Sequence, residues 1–121
     1  MGRKILLVED NPDFQEIFVT MAQHLGYEVV RAESGMEGIV IASTERPDVI
    51  VMDLMLSGLD GIETTRLLKN NRATRDIPVV VCTALIDDQH RAAALQAGAS
   101  DYLPKPLGVA ALGGTLGKYV V

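Results

Sequence analysis

Val49-Ile50-Val51-Met52-Asp53 is an unbroken apolar run that stops on an acid. Strict apolar–polar alternation would mark a strand with one wet face. A continuous run marks a strand covered on both faces, as in a parallel sheet between helices. Gly58 and Gly61 mark the loop that follows, and Ile62, Thr65 and Leu68 begin a helical stripe. Upstream, Ile5-Leu6-Leu7-Val8 repeats the pattern and stops at Glu9, Asp10 and Asn11-Pro12. Phe14, Ile17, Phe18, Met21 and Leu25 then recur at helical spacing, which predicts a helix with that face inward, ended at Gly26.

The rest of the chain follows the same alternation. Tyr27 to Arg31 is a weaker strand, and Ser34 is placed to cap a helix carrying Met36, Ile39 and Val40 inward, closed by Pro47. Pro78 opens Val79-Val80-Val81-Cys82, an alanine-rich helix is expected from Asp87 to Ala97 before Gly98, and Asp101-Tyr102-Leu103 is a short strand. From Leu107 a last helix keeps Val109, Leu112, Leu116 and Tyr119 as its stripe but contains Gly113, Gly114 and Gly117. Each glycine costs about 1 kcal/mol of helix propensity relative to alanine, so this helix is expected to be marginal alone and ordered by packing or a partner. Five strands alternating with five helices predict an open, doubly wound parallel sheet with right-handed crossovers. In such a sheet the ligand site lies beyond the carboxyl ends of the strands, where the winding reverses.

Composition bounds the function. A length of 121 residues is one domain, and 48% hydrophobic with 22% charged residues is globular. The net charge of −5 opposes phosphate-backbone binding, so no direct nucleic-acid contact is expected. There is no polybasic stretch for anionic lipid, and no apolar run nears the roughly 20 residues that span a membrane. Met1 to Val8 lacks the apolar core and cleavage pattern of a signal peptide, and one cysteine makes no internal bridge. The expected address is the cytoplasm.

The chemistry sits at the strand ends. Glu9 and Asp10 follow the first strand, Asp53 the third, Thr83 and Ala84 the fourth, and Lys105-Pro106 the fifth; the second ends without comparable residues. If the sheet order places those four strands together, the residues converge on one rim. Carboxylates gathered there repel, by about 4 kcal/mol for two unit charges roughly 4 Å apart at an effective dielectric of about 20. A hard divalent cation with oxygen ligands offsets this, and magnesium is the usual one where phosphate is handled. Lys105 adds a positive charge, Asp53 has the chemistry of a nucleophile toward phosphorus, Thr83 offers a hydroxyl to a phosphoryl oxygen, and Ala84 leaves room. Any one of these acids alone reads as a solvated loop residue; the joint occurrence does not. Cys82 reads as a small buried hydrophobe, and His24 and His90, without a cysteine or histidine cluster, as solvent-facing side chains rather than zinc ligands. There is no glycine-rich phosphate loop followed by Lys-Ser/Thr.

Over essentially its whole length the sequence resembles a response-regulator receiver domain, similar to the single-domain chemotaxis receivers. The resemblance is carried by Glu9-Asp10 after Ile5 to Val8, Asp53 after Val49 to Met52, Gly58 to Gly61, Thr83-Ala84, and Gly98-Ala99-Ser100-Asp101-Tyr102-Leu103-Pro104-Lys105-Pro106. It implies a flavodoxin-like sheet of order 2-1-3-4-5 and one receiver domain over 1–121, with no effector domain. It implies that Asp53 accepts a phosphoryl group from a sensor histidine kinase or phosphotransfer protein. Mg²⁺ would be held by Asp10, Asp53 and the Met55 backbone carbonyl, with Glu9 assisting through water. Lys105 would pair with the phosphoryl group, and Thr83 would swing toward it with Tyr102 turning inward. The surface of the fourth helix, fifth strand and fifth helix would then change for a downstream protein target. Such a domain is a monomer or weak dimer and not an enzyme beyond self-phosphotransfer and slow self-dephosphorylation.

Two departures stand out. Family members often have proline where Ser57 stands, so the loop after Asp53 is expected to be less rigid. Met55 and Leu85, two residues after Asp53 and Thr83, cannot hold an attacking water by hydrogen bonds, which predicts a long-lived phosphoryl group. The alternatives are a receiver cut from a larger regulator or hybrid kinase, and a receiver that docks without phosphorylation; the latter usually lacks one of the acids, the threonine or the lysine, all present here. An aspartate-nucleophile phosphatase would place a second aspartate where Met55 stands.

Overall fold

The structure, a computed structural model, describes residues 3–120; readings that touch residues 1, 2 and 121 lie outside that range. Strands β1 (Lys4–Val8), β2 (Glu28–Ala32), β3 (Val49–Met52), β4 (Val79–Thr83) and β5 (Asp101–Pro104) form one sheet of order β2-β1-β3-β4-β5. Every pairing is parallel. Parallel neighbours need long crossovers, and helices α1 (Pro12–His24), α2 (Gly35–Glu45), α3 (Gly61–Lys69) and α4 (Asp88–Ala97) supply them; α5 (Val109–Tyr119) follows β5. The chain runs from β1 outward to β2, then back past β1 to β3, so the winding reverses between β1 and β3. This is the flavodoxin-like sheet that the resemblance implied, with the five strands and five helices read from the sequence.

The strands are buried on both faces, which is why they read as continuous runs. Ile5, Leu7, Val49, Val51, Val80 and Cys82 pack on one side with Phe18, Leu112 and Leu116. Leu6, Val8, Ile50, Met52 and Val79 pack on the other with Ala42 and Leu68. Asn11, Ser34, Asp60 and Asp87 cap α1 to α4 with side-chain oxygens, Ser34 as expected, while Gly108 before α5 makes no such bond. The glycine-containing α5 is nonetheless formed, and Leu112, Leu116 and Val120 are its buried anchors. Its order therefore comes from packing rather than propensity.

Three helix faces differ from expectation, the smallest difference being in α5, where Val109 of the expected stripe is 41% exposed. Met36 and Val40 were expected inward and are 61% and 60% exposed. Instead α2 buries Gly35, Gly38 and Ala42, so its backbone approaches the sheet closely. A Cβ on Gly38 would lie 2.8 Å from Val8 Cγ2. Because α2 is apolar on most sides, side-chain size and not hydrophobicity chose the inward face. Ile17 of α1 likewise points outward, and Gln15, Phe18, Val19 and Ala22 are the buried residues.

Candidate functional site

Backbone hydrogen bonds bring the strand-end residues together. Glu9 N donates to Ala32 O (3.0 Å), Asp53 N to Val8 O (3.2 Å) and Lys105 N to Thr83 O (2.9 Å). Each bond continues a parallel ladder one residue past a strand, so Glu9, Asp53 and Lys105 leave the sheet at the same carboxyl rim. The amino end of α3 lies directly against Asp53: a Cβ on Gly61 would stand 2.1 Å from Asp53 O. Only glycine permits that approach.

The Lys105 ammonium joins two buried acids. It donates to Glu9 Oε1 at 2.8 Å and to Asp53 Oδ2 at 2.9 Å, and the two acids are 1% and 6% exposed. The remaining oxygens are also engaged: Asn11 N donates to Glu9 Oε2 (3.0 Å) and Met55 N to Asp53 Oδ1 (3.0 Å). Lys105 Nζ stands 3.9 Å from the centroid of the Phe14 ring, a cation–π contact. Burial pushes the Glu9 carboxyl above its ordinary range, against the opposing pull of Lys105. Burial would lower the Lys105 ammonium, but its bonds to Glu9 and Asp53 outweigh that and hold it above the usual lysine range. The arrangement thus keeps a protonated lysine beside Asp53.

The other expected residues lie along the same rim. Asp10 turns to the loop between β3 and α3, where Ser57 N and Ser57 Oγ each donate to Asp10 Oδ2 at 3.2 Å. Thr83 is fully buried and its hydroxyl oxygen accepts from Leu85 N (3.3 Å). Ala84 is exposed. The Tyr102 ring is buried, its hydroxyl donates to Leu85 O, and the Arg91 guanidinium lies 5.9 Å over the ring. Met55 places its side chain in solvent, 56% exposed. His24 is exposed; His90 bonds Asp87 through Nδ1 at 2.6 Å. Cys82 is a buried free thiol, its pKa pushed up to about 12 mainly by burial.

Among the described residues no three histidine, cysteine, aspartate or glutamate side chains are gathered as a metal-holding group. Lys105 occupies oxygens of Glu9 and Asp53, and Ser57 occupies Asp10. The donor chemistry still fits a hard dication: carboxylate oxygens at one rim, with a single ammonium offsetting part of their charge. Sequence reasoning did not find Phe14 beneath Lys105, Asn11 and Gln15 bracing Glu9, or Ser57 on Asp10. The run Asn11-Pro12 signals a helix start, so the cap was legible; the other contacts depend on the approach of separate elements.

Known proteins share this sequence pattern and this fold. A family model described as the response regulator receiver domain matches residues 5–116. The protein PilH of Pseudomonas aeruginosa is 36% identical over 104 residues, covering 86% of this chain and 86% of PilH. The polar-differentiation response regulator DivK of Brucella ovis is 32% identical over 120 residues, covering 99% of this chain and 98% of DivK. The crystal structure of the receiver domain of the sensor histidine kinase PA1611 from P. aeruginosa, with a magnesium ion coordinated in its active site cleft, superposes with a TM-score of 0.91. It is 38% identical, and the match covers 98% of each chain.

Proposed function

The chain belongs to the response-regulator receiver domain family of two-component signalling, and from that premise we propose that it is a phosphorylation-dependent switch with Asp53 as phosphoacceptor. The observation that carries this reading is Lys105 bonded to both buried acids, Glu9 and Asp53, from the far end of the chain. The ammonium beside Asp53 is a cation already in place for the phosphoryl oxygens. An Asp53 oxygen attacks phosphorus, an Asp–O–P bond forms, and the P–N bond of a kinase or phosphotransfer phosphohistidine breaks, its electron pair leaving on the imidazole. A small phosphodonor serves through its own P–O bond. Lys105 then pairs with the phosphoryl group, and Thr83 donates its hydroxyl to a phosphoryl oxygen in place of its contact with Leu85 N.

Asp10, Asp53 and the Met55 carbonyl, with Glu9 through water, are the residues proposed to hold Mg²⁺. Bound there, the ion offsets the repulsion between carboxylate and phosphate. Release of Thr83 from Leu85, whose carbonyl also receives the Tyr102 hydroxyl, couples Asp53 to the surface of α4, β5 and α5. That surface is the proposed contact for a downstream protein target, with the chain acting as a single receiver domain. No helix among the described residues is long and apolar enough to cross a membrane. The cytoplasm is the proposed compartment, in keeping with the free thiol of Cys82. The test is labelling by a small phosphodonor with Mg²⁺: the wild type is expected to take up one phosphoryl group and Asp53→Ala none. No labelling of the wild type contradicts the reading.

A further inference from the structure

We propose that Ser57 is a latch on Asp10, a positioning residue that holds this carboxylate on the loop after β3 and that an incoming divalent cation must displace. The proposal rests on the reading of Asp10 as a cation ligand. Its ground is the pair of bonds from Ser57 N and Ser57 Oγ to one oxygen, Asp10 Oδ2, at 3.2 Å each. The amide bond is at the long end of the N–H···O range and the hydroxyl bond is just beyond the usual O–H···O range. They also come from neutral donors, whereas Glu9 and Asp53 are held by an ammonium at 2.8 and 2.9 Å. Asp10 is therefore the rim acid most easily freed, and Ser57 is what frees or keeps it.

The loop decides the sign of the effect. Ser57 lies between Leu56, buried in the core on the α2 and α3 side, and Gly58, whose φ of 74° makes the turn. Leu56 anchors this stretch in the core, so in the proposed latch Ser57 stays in place when the Asp10 carboxylate turns toward a cation. The bonds are lost on binding and so oppose it. A serine that moved with Asp10 would instead support its ligand, as outer partners of metal ligands commonly do. The lack of proline at this position thus has a consequence other than loosening: the loop is tied to Asp10.

The test is Mn²⁺ binding to the full chain, followed by the electron paramagnetic resonance of the free ion, in the wild type, Ser57→Ala and Ser57→Thr. Ser57→Ala deletes the hydroxyl bond and is expected to bind Mn²⁺ roughly three- to tenfold more tightly. Ser57→Thr restores a hydroxyl and is expected to bind like the wild type, an outcome that loop loosening alone would not produce. Equal or weaker binding by Ser57→Ala overturns the latch while leaving the cation reading intact. No binding by any of the three overturns the cation reading and the latch with it. In the wild type, Mg²⁺ titration followed by nuclear magnetic resonance is expected to move the Ser57 amide proton upfield as its bond to Asp10 breaks; an unmoved resonance at saturation also overturns the proposal.

Discussion

The Lys105 ammonium lies 2.9 Å from Asp53 Oδ2, although 52 positions separate the two residues in the chain. The proposed phosphoacceptor is therefore already paired with the cation that is to receive the phosphoryl oxygens. The same ammonium keeps Glu9, only 1% exposed, from being a buried charge without a partner.

Lys105→Ala should accordingly destabilise the fold as well as slow phosphoryl transfer. Breaking a buried ion pair by removing one partner costs about 3–5 kcal/mol. Lys105 is 18% exposed, so a loss at the low end, about 3 kcal/mol, is expected. The sign with pH follows from Glu9, whose carboxyl burial already raises. A raised folded pKa favours the fold below the unfolded value and loses that advantage as pH rises through the folded one. Without Lys105 the rise is larger, so the deficit of the variant should be full at neutral pH and shrink below about pH 5. Urea unfolding of both proteins across that range checks it; a deficit independent of pH is the contrary outcome.

Cys82 makes a second pH prediction. Its thiol is pushed up to about 12 in the fold, with burial the main cause, against about 8.5 in an unfolded chain. The raised value means that stability from the neutral thiol is complete below about pH 8.5 and is lost as pH climbs toward 12. The slope approaches 1.36 kcal/mol per pH unit within that window. Cys82→Ala should lose stability less steeply than the wild type between pH 9 and 10.5. Parallel slopes in the two proteins are the opposing result.

The glycines of α5 should report on helix propensity alone. Nothing lies within 4 Å of a Cβ placed on Gly114 or Gly117, whereas one on Gly113 meets Leu25 Cδ2 at 3.3 Å. Gly114→Ala and Gly117→Ala are each expected to stabilise the protein by about 0.5–1 kcal/mol, with a smaller or opposite effect at Gly113. Thermal melts read this directly. Amide exchange in wild-type α5 is expected to be faster than in β1 and β3; equal protection would refute the marginal character assigned to this helix.

Phosphate lifetime turns on Met55. Its side chain stands in solvent beside Asp53, whose Oδ1 accepts from Met55 N, and it has no group to hold an attacking water. Met55→Asn adds a donor and an acceptor there and is expected to shorten the life of the phosphorylated protein several-fold. The decay of labelled protein in the two chains is the measurement, and equal lifetimes would end the idea.

How far the sequence could be read depended on what each residue answers to. The parallel sheet was legible because β1, β3 and β4 are covered on both faces, and continuous runs such as Val49 to Met52 are the direct consequence. The strand-end acids and Lys105 were legible because a parallel strand delivers the residues after it to one rim, and Thr83 because it is the last residue of β4 at that rim. The inward face of α2 was not, since Gly35 and Gly38 are buried for their size while Met36 and Val40 are left outside. Ser57 on Asp10 and Phe14 under Lys105 were not legible either. Each joins elements far apart in the chain, and no periodicity records such a meeting.

The central claim is that the Asp53 carboxylate carries the phosphoryl group. An acyl phosphate is reduced by borohydride to the alcohol, which converts a phosphorylated aspartate to homoserine. After treatment with a small phosphodonor and Mg²⁺, reduction and peptide mass spectrometry should find homoserine at position 53, and at no other acid of the rim. Homoserine at position 10 instead, the longer alcohol 5-hydroxynorvaline at Glu9, or no reduced residue at all would contradict the account.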